Sequence, residues 1–147
     1  MGELESLVAS FAGLYMQLMR TLDRRMAEQG ASLARTKMLL VVQKRGPLRA
    51  KDIAEYFEQS PRTVTESIDG LERDGLVQRE PDPSDRRAKL VRITPKGVEA
   101  AAKTEPLRRQ MIEQAFGILD PAEREALREI LAKISSAVVP EGLSGGC

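Results

Sequence analysis

The residues whose types and spacing could do chemistry lie in two neighbouring stretches of the chain. The first stretch begins at Ser60-Pro61, which predicts a helix start, and its first turns are polar: Arg62, Thr63, Thr65 and Glu66. Short hydroxyl side chains let a helix approach DNA closely, and an arginine can donate paired hydrogen bonds to guanine or to a phosphate. A helix N-terminus also favours a phosphate. The pattern suits a helix whose first turns enter a DNA major groove.

The second stretch is a predicted β-hairpin with a charged tip. Residues 76–80 and 88–93 alternate in polarity, and residues 81–85 read PDPSD, which is typical of a turn. Every charged residue between Asp85 and Gly97 is basic: Arg86, Arg87, Lys89, Arg92 and Lys96. An arginine at a hairpin tip can reach a DNA minor groove, where the negative potential is enhanced when the groove is narrow. The alternative roles are structural, namely a helix cap for Ser60 and solvated surfaces for the rest.

Composition excludes other kinds of chemistry. The 147 residues carry 23 Lys plus Arg against 22 Asp plus Glu, so any basic surface must be local. Histidine is absent, which removes the commonest general base and metal ligand, and the single cysteine is Cys147, expected to be inert. We therefore expect no enzymatic activity, no cofactor and no metal site. No apolar run approaches the ~20 residues of a membrane span, and MGELESL does not resemble a secretory signal, so we expect a cytoplasmic protein.

Six helices are predicted around this hairpin. Apolar residues recur at helical spacing over about residues 3–29 and 32–44, and a short helix is predicted within residues 48–59. The helix after Ser60 should end at about residue 73, and two more begin after Thr94 and Asp120. Pro106 falls inside the fifth helix and is expected to kink or break it.

The stretch from residue 48 to residue 97 resembles the winged helix–turn–helix of the MarR family of bacterial transcriptional regulators. TVTESIDGLERDGLVQRE, DPSDRRAKLVRIT and PKG follow one another at the family's spacing. The resemblance implies a fold that is mainly α with a small β-hairpin, in which long N- and C-terminal dimerisation helices flank a winged helix–turn–helix. The expected parts are N-terminal helices for dimerisation and support (1–45), the DNA-binding lobe (46–96), C-terminal dimerisation helices (97–139) and a flexible tail (140–147).

The resemblance also implies a function. We expect a homodimer that binds a pseudo-palindromic operator in double-stranded DNA, acting as a repressor that a small organic ligand releases. The family's recognition-helix positions fall on Arg62, Thr63, Thr65 and Glu66, and its wing motif Asp-x-Arg falls on Asp85 and Arg87. We expect Arg87 in the minor groove, Arg86 on a phosphate, and Ser60 and Lys89 in the same interface. Asp85 should hold the wing in shape by pairing with a neighbouring arginine, for which Arg79 is the first candidate.

Methionines on the first two predicted helices suggest where an effector could bind. Their flexible side chains suit an adaptable pocket, and effectors in this family are often aromatic or phenolic. The candidate pocket residues are Tyr15, Met16, Met19, Arg35 and Met38. An ordinary hydrophobic core is the alternative role for the methionines.

A different class of function stays open at this point. A winged-helix module can bind another protein and not DNA, although the tip arginines and the hydroxyl-rich helix argue against it. Steep salt dependence of DNA binding would separate the two, because neutralising phosphates releases counterions. The sign of regulation, the operator and the effector do not follow from the residues.

Overall fold

A computed structural model describes residues 2–138, which form six helices and three strands. In chain order these are α1 Glu3–Glu28, α2 Leu33–Arg45, β1 Leu48–Arg49, α3 Ala50–Phe57, α4 Pro61–Arg73, β2 Val77–Asp82, β3 Asp85–Ile93, α5 Pro95–Phe116 and α6 Pro121–Val138. The mainly α winged-helix fold is confirmed. Across residues 2–138, no helix is both long and apolar enough to cross a membrane.

Four helices begin at caps that the sequence supplies. The capping residues are Ser32, Ser60, Thr94 and Asp120, and each side chain accepts a hydrogen bond from the backbone N–H three residues later, at 2.9–3.2 Å. These bonds satisfy N–H groups that have no partner inside the helix. Of the kink or break expected at Pro106, the break is wrong, because α5 continues through Pro106. Proline removes only one backbone donor, and the helix is maintained on both sides of that gap.

The sheet has three antiparallel strands in the order β1-β3-β2. Val77 pairs with Ile93, and the β2–β3 register shifts between Pro81 and Asp82. The strand β1 was not predicted, since Leu48 and Arg49 were assigned to the start of the short helix. Two residues are too few to show an alternating pattern, so β1 is defined only by its pairing with β3.

The helix α4 is held by one apolar face in the hydrophobic core. Val64 and Ile68 are fully buried and Leu71 is 1% exposed, so the opposite face of α4 is left at the surface. The same core includes Ile53 from α3 and Val91 from β3. Three residues of α2 also belong to it, namely Met38, Leu39 and Val42. The helix α2, expected within the segment 1–45, therefore helps to build the core under the helix–turn–helix.

The chain divides into two compact units between Arg109 and Gln110. In the first unit, α1 carries an exposed apolar stripe in which Leu4 is 76% and Phe11 61% exposed. In the second unit, α6 has no buried residue, and Ile130 and Ile134 are each 55% exposed. The tail at 140–147, with Cys147, lies outside the described residues.

Candidate DNA-binding surface

The first turns of α4 present a polar, exposed face. Ser60 Oγ accepts the N–H of Thr63 at 3.1 Å and donates to Thr63 Oγ1 at 2.8 Å, which fixes the start of the helix. Arg62, Thr63, Thr65 and Glu66 are all exposed, while Val64 between them is buried. The helix thus displays four polar side chains around a buried anchor, as its sequence predicts.

Arg62 makes a contact that limits its freedom only slightly. Its side chain is 89% exposed, and its Nε lies 3.3 Å from Glu66 Oε1, one helical turn away. Exposed pairs at this spacing contribute little to stability. A phosphate or a guanine could therefore replace Glu66 as the partner of Arg62 at small cost.

The wing consists of β2, β3 and the turn between them, and its tip is cationic. We use "wing tip" for Arg86, Arg87 and Lys89, which are all exposed. None of these three takes part in an ion pair or a side-chain hydrogen bond among residues 2–138. Three positive charges close together in sequence are thus left without an anionic partner of their own.

The turn of the wing is held by a partly buried carboxylate. Asp82 is 8% exposed, and its Oδ2 lies 2.6 Å from Arg49 Nη2 and accepts from Arg49 Nε at 2.8 Å. Its Oδ1 accepts from the backbone N–H and the hydroxyl of Ser84, at 2.9 and 2.8 Å. The bonds from Ser84, followed by the bond from Arg49, hold the pKa of Asp82 below its ordinary value. The bond to Asp82 raises the pKa of Arg49.

Arg79 does not pair with Asp85, so that prediction is wrong. Its guanidinium lies 2.6 Å from Asp69 and 2.9 Å from Glu72, both on α4, and Glu72 also accepts the Arg79 backbone N–H at 2.9 Å. Burial lowers the pKa of Arg79, but the bonds to Asp69 and Glu72 more than offset this. The physical reason is spacing: two carboxylates three residues apart share one helix face and together receive both arms of the guanidinium.

Asp85 has a local role instead. Its Oδ1 accepts the backbone N–H of Arg87 at 3.0 Å, and its Oδ2 lies 4.0 Å from Arg49 Nη1. Asp85 thus orders the backbone that leads to Arg87.

The residues that sequence reasoning missed are Arg49 and Asp82. The signal available was an acidic residue inside the turn PDPSD, but its partner lies 33 positions away and no local spacing reveals it.

A cleft of about 820 Å³ lies within the first unit, next to α4. Of the five predicted pocket residues, Met19, Arg35 and Met38 line it. Tyr15 and Met16 do not line it and are each 53% exposed. The cleft is also lined by residues of α4: Thr63, Glu66, Ser67, Gly70 and Leu71.

Arg35 connects this cleft to the end of α4. Its Nη2 lies 2.5 Å from Asp74 Oδ2, and Asp74 is the residue that follows the last turn of the helix. The hydrogen bond from Arg35 holds the pKa of Asp74 below its ordinary value. Among the described residues, there is no group of three or more His, Cys, Asp or Glu side chains that could hold a metal ion.

A polar, well-anchored helix followed by a hairpin with free arginines defines a winged helix–turn–helix of the nucleic-acid-binding class. The comparisons with known proteins agree with this class. Residues 32–89 match the model of the MarR family. The HTH-type transcriptional regulator YkoM of Bacillus subtilis is 34% identical over 106 residues, covering 72% of this chain and 69% of that protein.

Two other relatives extend the comparison. The HTH-type transcriptional repressor IacR of Pseudomonas putida is 25% identical over 124 residues, covering 84% of this chain and 72% of that protein. The crystal structure of Sco3205, a MarR family regulator from Streptomyces coelicolor in complex with DNA, is 26% identical. It covers 98% of this chain and 93% of its own, with a TM-score of 0.77. This chain belongs to the MarR family of transcriptional regulators.

Proposed function

We propose that this chain is a sequence-specific DNA-binding repressor that acts as a homodimer on a pseudo-palindromic operator. The observation that carries the proposal is the wing tip, whose three cations have no anionic partner within residues 2–138 although the other charged side chains of the same hairpin are paired. Unpaired exposed cations suit a phosphate backbone. The relative Sco3205, crystallised with DNA, supports the same partner for this chain. Binding to the chromosome places the protein in the cytoplasm.

Each half of the surface has its own role in this proposal. The first turns of α4 enter the major groove, where Arg62, Thr63, Thr65 and Glu66 face base edges and Ser60 lies near a phosphate. Arg62 exchanges its weak contact with Glu66 for a base or a phosphate. Arg87 enters the minor groove, and Arg86 and Lys89 neutralise phosphates beside it.

The dimer is supported by apolar side chains that each unit leaves at its surface. In α1 these are Leu4, Leu7, Val8, Phe11 and Leu14, all more than half exposed. In α6, Ile130, Ile134 and Val138 are likewise more than half exposed. Contiguous apolar surface of this kind marks an interaction site. We assign both stripes to dimerisation, so that residues 1–45 and 97–139 serve the dimer and 46–96 bind DNA, with half-sites about 34–36 Å apart.

Release by a small organic ligand is assigned to the cleft beside α4. Met19 and Met38 supply adaptable apolar walls, and Arg35 supplies a cation for a polar or phenolic group. A ligand seated against Thr63, Ser67 and Leu71 contacts the helix that reads DNA. It acts as an inducer only if it binds the geometry without DNA more tightly than the geometry with DNA.

The first test is a pull-down of fragments of the genome that encodes this chain, followed by sequencing, at a low and a high salt concentration. We expect enrichment of a short inverted repeat. Salt-sensitive capture without a preferred sequence would leave nonspecific binding, and no capture at either salt would favour a module that binds protein. The variant Arg87→Ala should lose the enrichment. The matched control is Arg128→Ala, which removes one exposed arginine of α6 and should keep it.

A further inference from the structure

One arginine outside the predicted DNA-binding residues contacts the wing from β1, which is the edge strand opposite β2 in the sheet. Arg49 lies in β1, where it pairs with Leu90 of β3, and its side chain reaches Asp82 at the end of β2. It presents both its Nε and its Nη2 to the same oxygen, at 2.8 and 2.6 Å. The contact joins residues 33 positions apart, so it fixes tertiary structure and not a local turn.

Both ends of this contact are ordered. Arg49 is the N-cap of α3, and its backbone N–H donates to Asp52 at 3.1 Å. Asp82 is 8% exposed and accepts two further hydrogen bonds from Ser84. In residues 2–138, no buried side-chain nitrogen or oxygen is left without a hydrogen bond. Paired, fully bonded groups of this kind hold one geometry, whereas a flexible surface pair holds many.

The contact lies where the wing changes direction. The β2–β3 register shifts between Pro81 and Asp82, so that Asp82 faces Asp85 across the turn. Asp85 is 4.0 Å from Arg49 and accepts the backbone N–H of Arg87. A continuous series of contacts therefore runs from the start of α3 through Arg49 and the turn to the backbone of Arg87.

We propose that Arg49 is a positioning residue for the wing, which sets the direction of Arg87 through Asp82 without itself contacting DNA. This role rests on the proposed DNA-binding function, and in it Arg49 orients a DNA-binding residue without binding DNA. It predicts that the affinity for DNA depends on a carboxylate, although carboxylates ordinarily oppose DNA binding. A site fixed loosely by about 1 Å loses much of its function, which is why such supporting contacts matter.

The test compares two substitutions that each remove one negative charge from the same hairpin. Asp82→Asn breaks the contact with Arg49, and Glu80→Gln breaks the exposed pair with Arg92. The probe is a duplex recovered in the pull-down, and the readout is its dissociation constant with hydroxyl-radical footprinting of the minor groove. We expect Asp82→Asn to weaken binding about fivefold to tenfold and to weaken the footprint under the wing. Glu80→Gln should leave affinity unchanged or improve it.

Tighter binding by Asp82→Asn would overturn the proposal and make Arg49 a phosphate contact that Asp82 restrains. Equal behaviour of the two variants would also overturn the proposal. Arg49→Lys keeps the charge but loses the planar fork, so we expect it to weaken binding as Asp82→Asn does. In an Arg87→Ala background, Asp82→Asn should cost nothing further, and an undiminished cost there would also overturn it. Far-UV circular dichroism and the thermal midpoint show that each variant is folded. Recovery of no duplex by the unsubstituted protein would instead contradict the proposed function.

Discussion

Two arginines that support the wing, Arg49 and Arg79, differ from the arginines of the wing tip in what surrounds them. These two, which we call the base arginines, are 29% and 24% exposed, and each lies within 4.0 Å of two carboxylates. At the tip, Arg86 and Arg87 are exposed, and their guanidinium groups pair with no carboxylate within the described chain. The same residue type thus serves two purposes, and Arg79 and Arg87 are only eight positions apart.

The difference teaches how a nearly neutral chain can present a cationic surface. A paired guanidinium must give up its carboxylates before it can bind a phosphate, so the base arginines stabilise the hairpin and contribute little attraction to an anion. The tip cations have no such partner to lose. The formal net charge of +1 therefore describes the whole chain but not the wing tip.

Removing a tip arginine is the strongest test of the comparison. We expect Arg87→Ala to raise the dissociation constant for operator DNA about 10- to 100-fold, because a groove-bound arginine contributes directly to the complex. The thermal midpoint should not change, since this side chain has no ion-pair or hydrogen-bond partner among residues 2–138. Fluorescence anisotropy with a labelled duplex measures the first quantity and calorimetry the second. Equal affinity of Arg87→Ala and Arg128→Ala would remove Arg87 from the interface.

Removing Arg79, a base arginine with no proposed role in DNA binding, should instead lower the stability of the fold. We expect Arg79→Gln to lower the free energy of unfolding by about 1–2 kcal/mol, because it leaves Asp69 and Glu72 without their shared donor. Chemical denaturation measures this change. The matched control is Arg92→Gln, because the Arg92 side chain is 48% exposed against 24% for Arg79 and pairs with one carboxylate, so it should matter less for stability. If Arg79→Gln is as stable as the control, the ion pairs of Arg79 with Asp69 and Glu72 are only surface contacts.

The sequence predicted the elements of the site better than the contacts between them. Helix starts at Ser60 and Thr94 were predicted correctly because a cap acts over three residues, a distance that sequence spacing displays. The strand β1 is missed and the partner of Arg79 is predicted wrongly because both are decided by residues far along the chain. The expected pairing of Asp85 with Arg79 followed from a family motif, and the two carboxylates of α4 offered Arg79 a better geometry.

Cations that contact only phosphates should affect how DNA binding depends on salt and not how it depends on the DNA sequence. We expect Arg86→Ala and Lys89→Ala each to weaken binding a few-fold on every duplex tested, and to lower the slope of log affinity against log salt by about one. The measurement is a salt titration of binding on the selected duplex and on a scrambled one. A loss confined to the selected duplex would assign base recognition to that residue instead.

Lowering the pH should distinguish the Asp82 contact from the arginines of the wing tip by a small effect on stability. The pKa of Asp82 is held low by Ser84 and Arg49, so its carboxylate stabilises the fold at pH values above its ordinary pKa. That contribution is lost as the pH falls from about 4, the ordinary aspartate value, through the lowered pKa of the folded state. The gap in thermal midpoint between the unsubstituted chain and Asp82→Asn should therefore narrow on acidification. Arg87→Ala should show no such change, because an arginine keeps its charge throughout this range. A constant gap for Asp82→Asn would mean that the substitution acts by altered packing, and that the charge of Asp82 does not hold the turn of the wing.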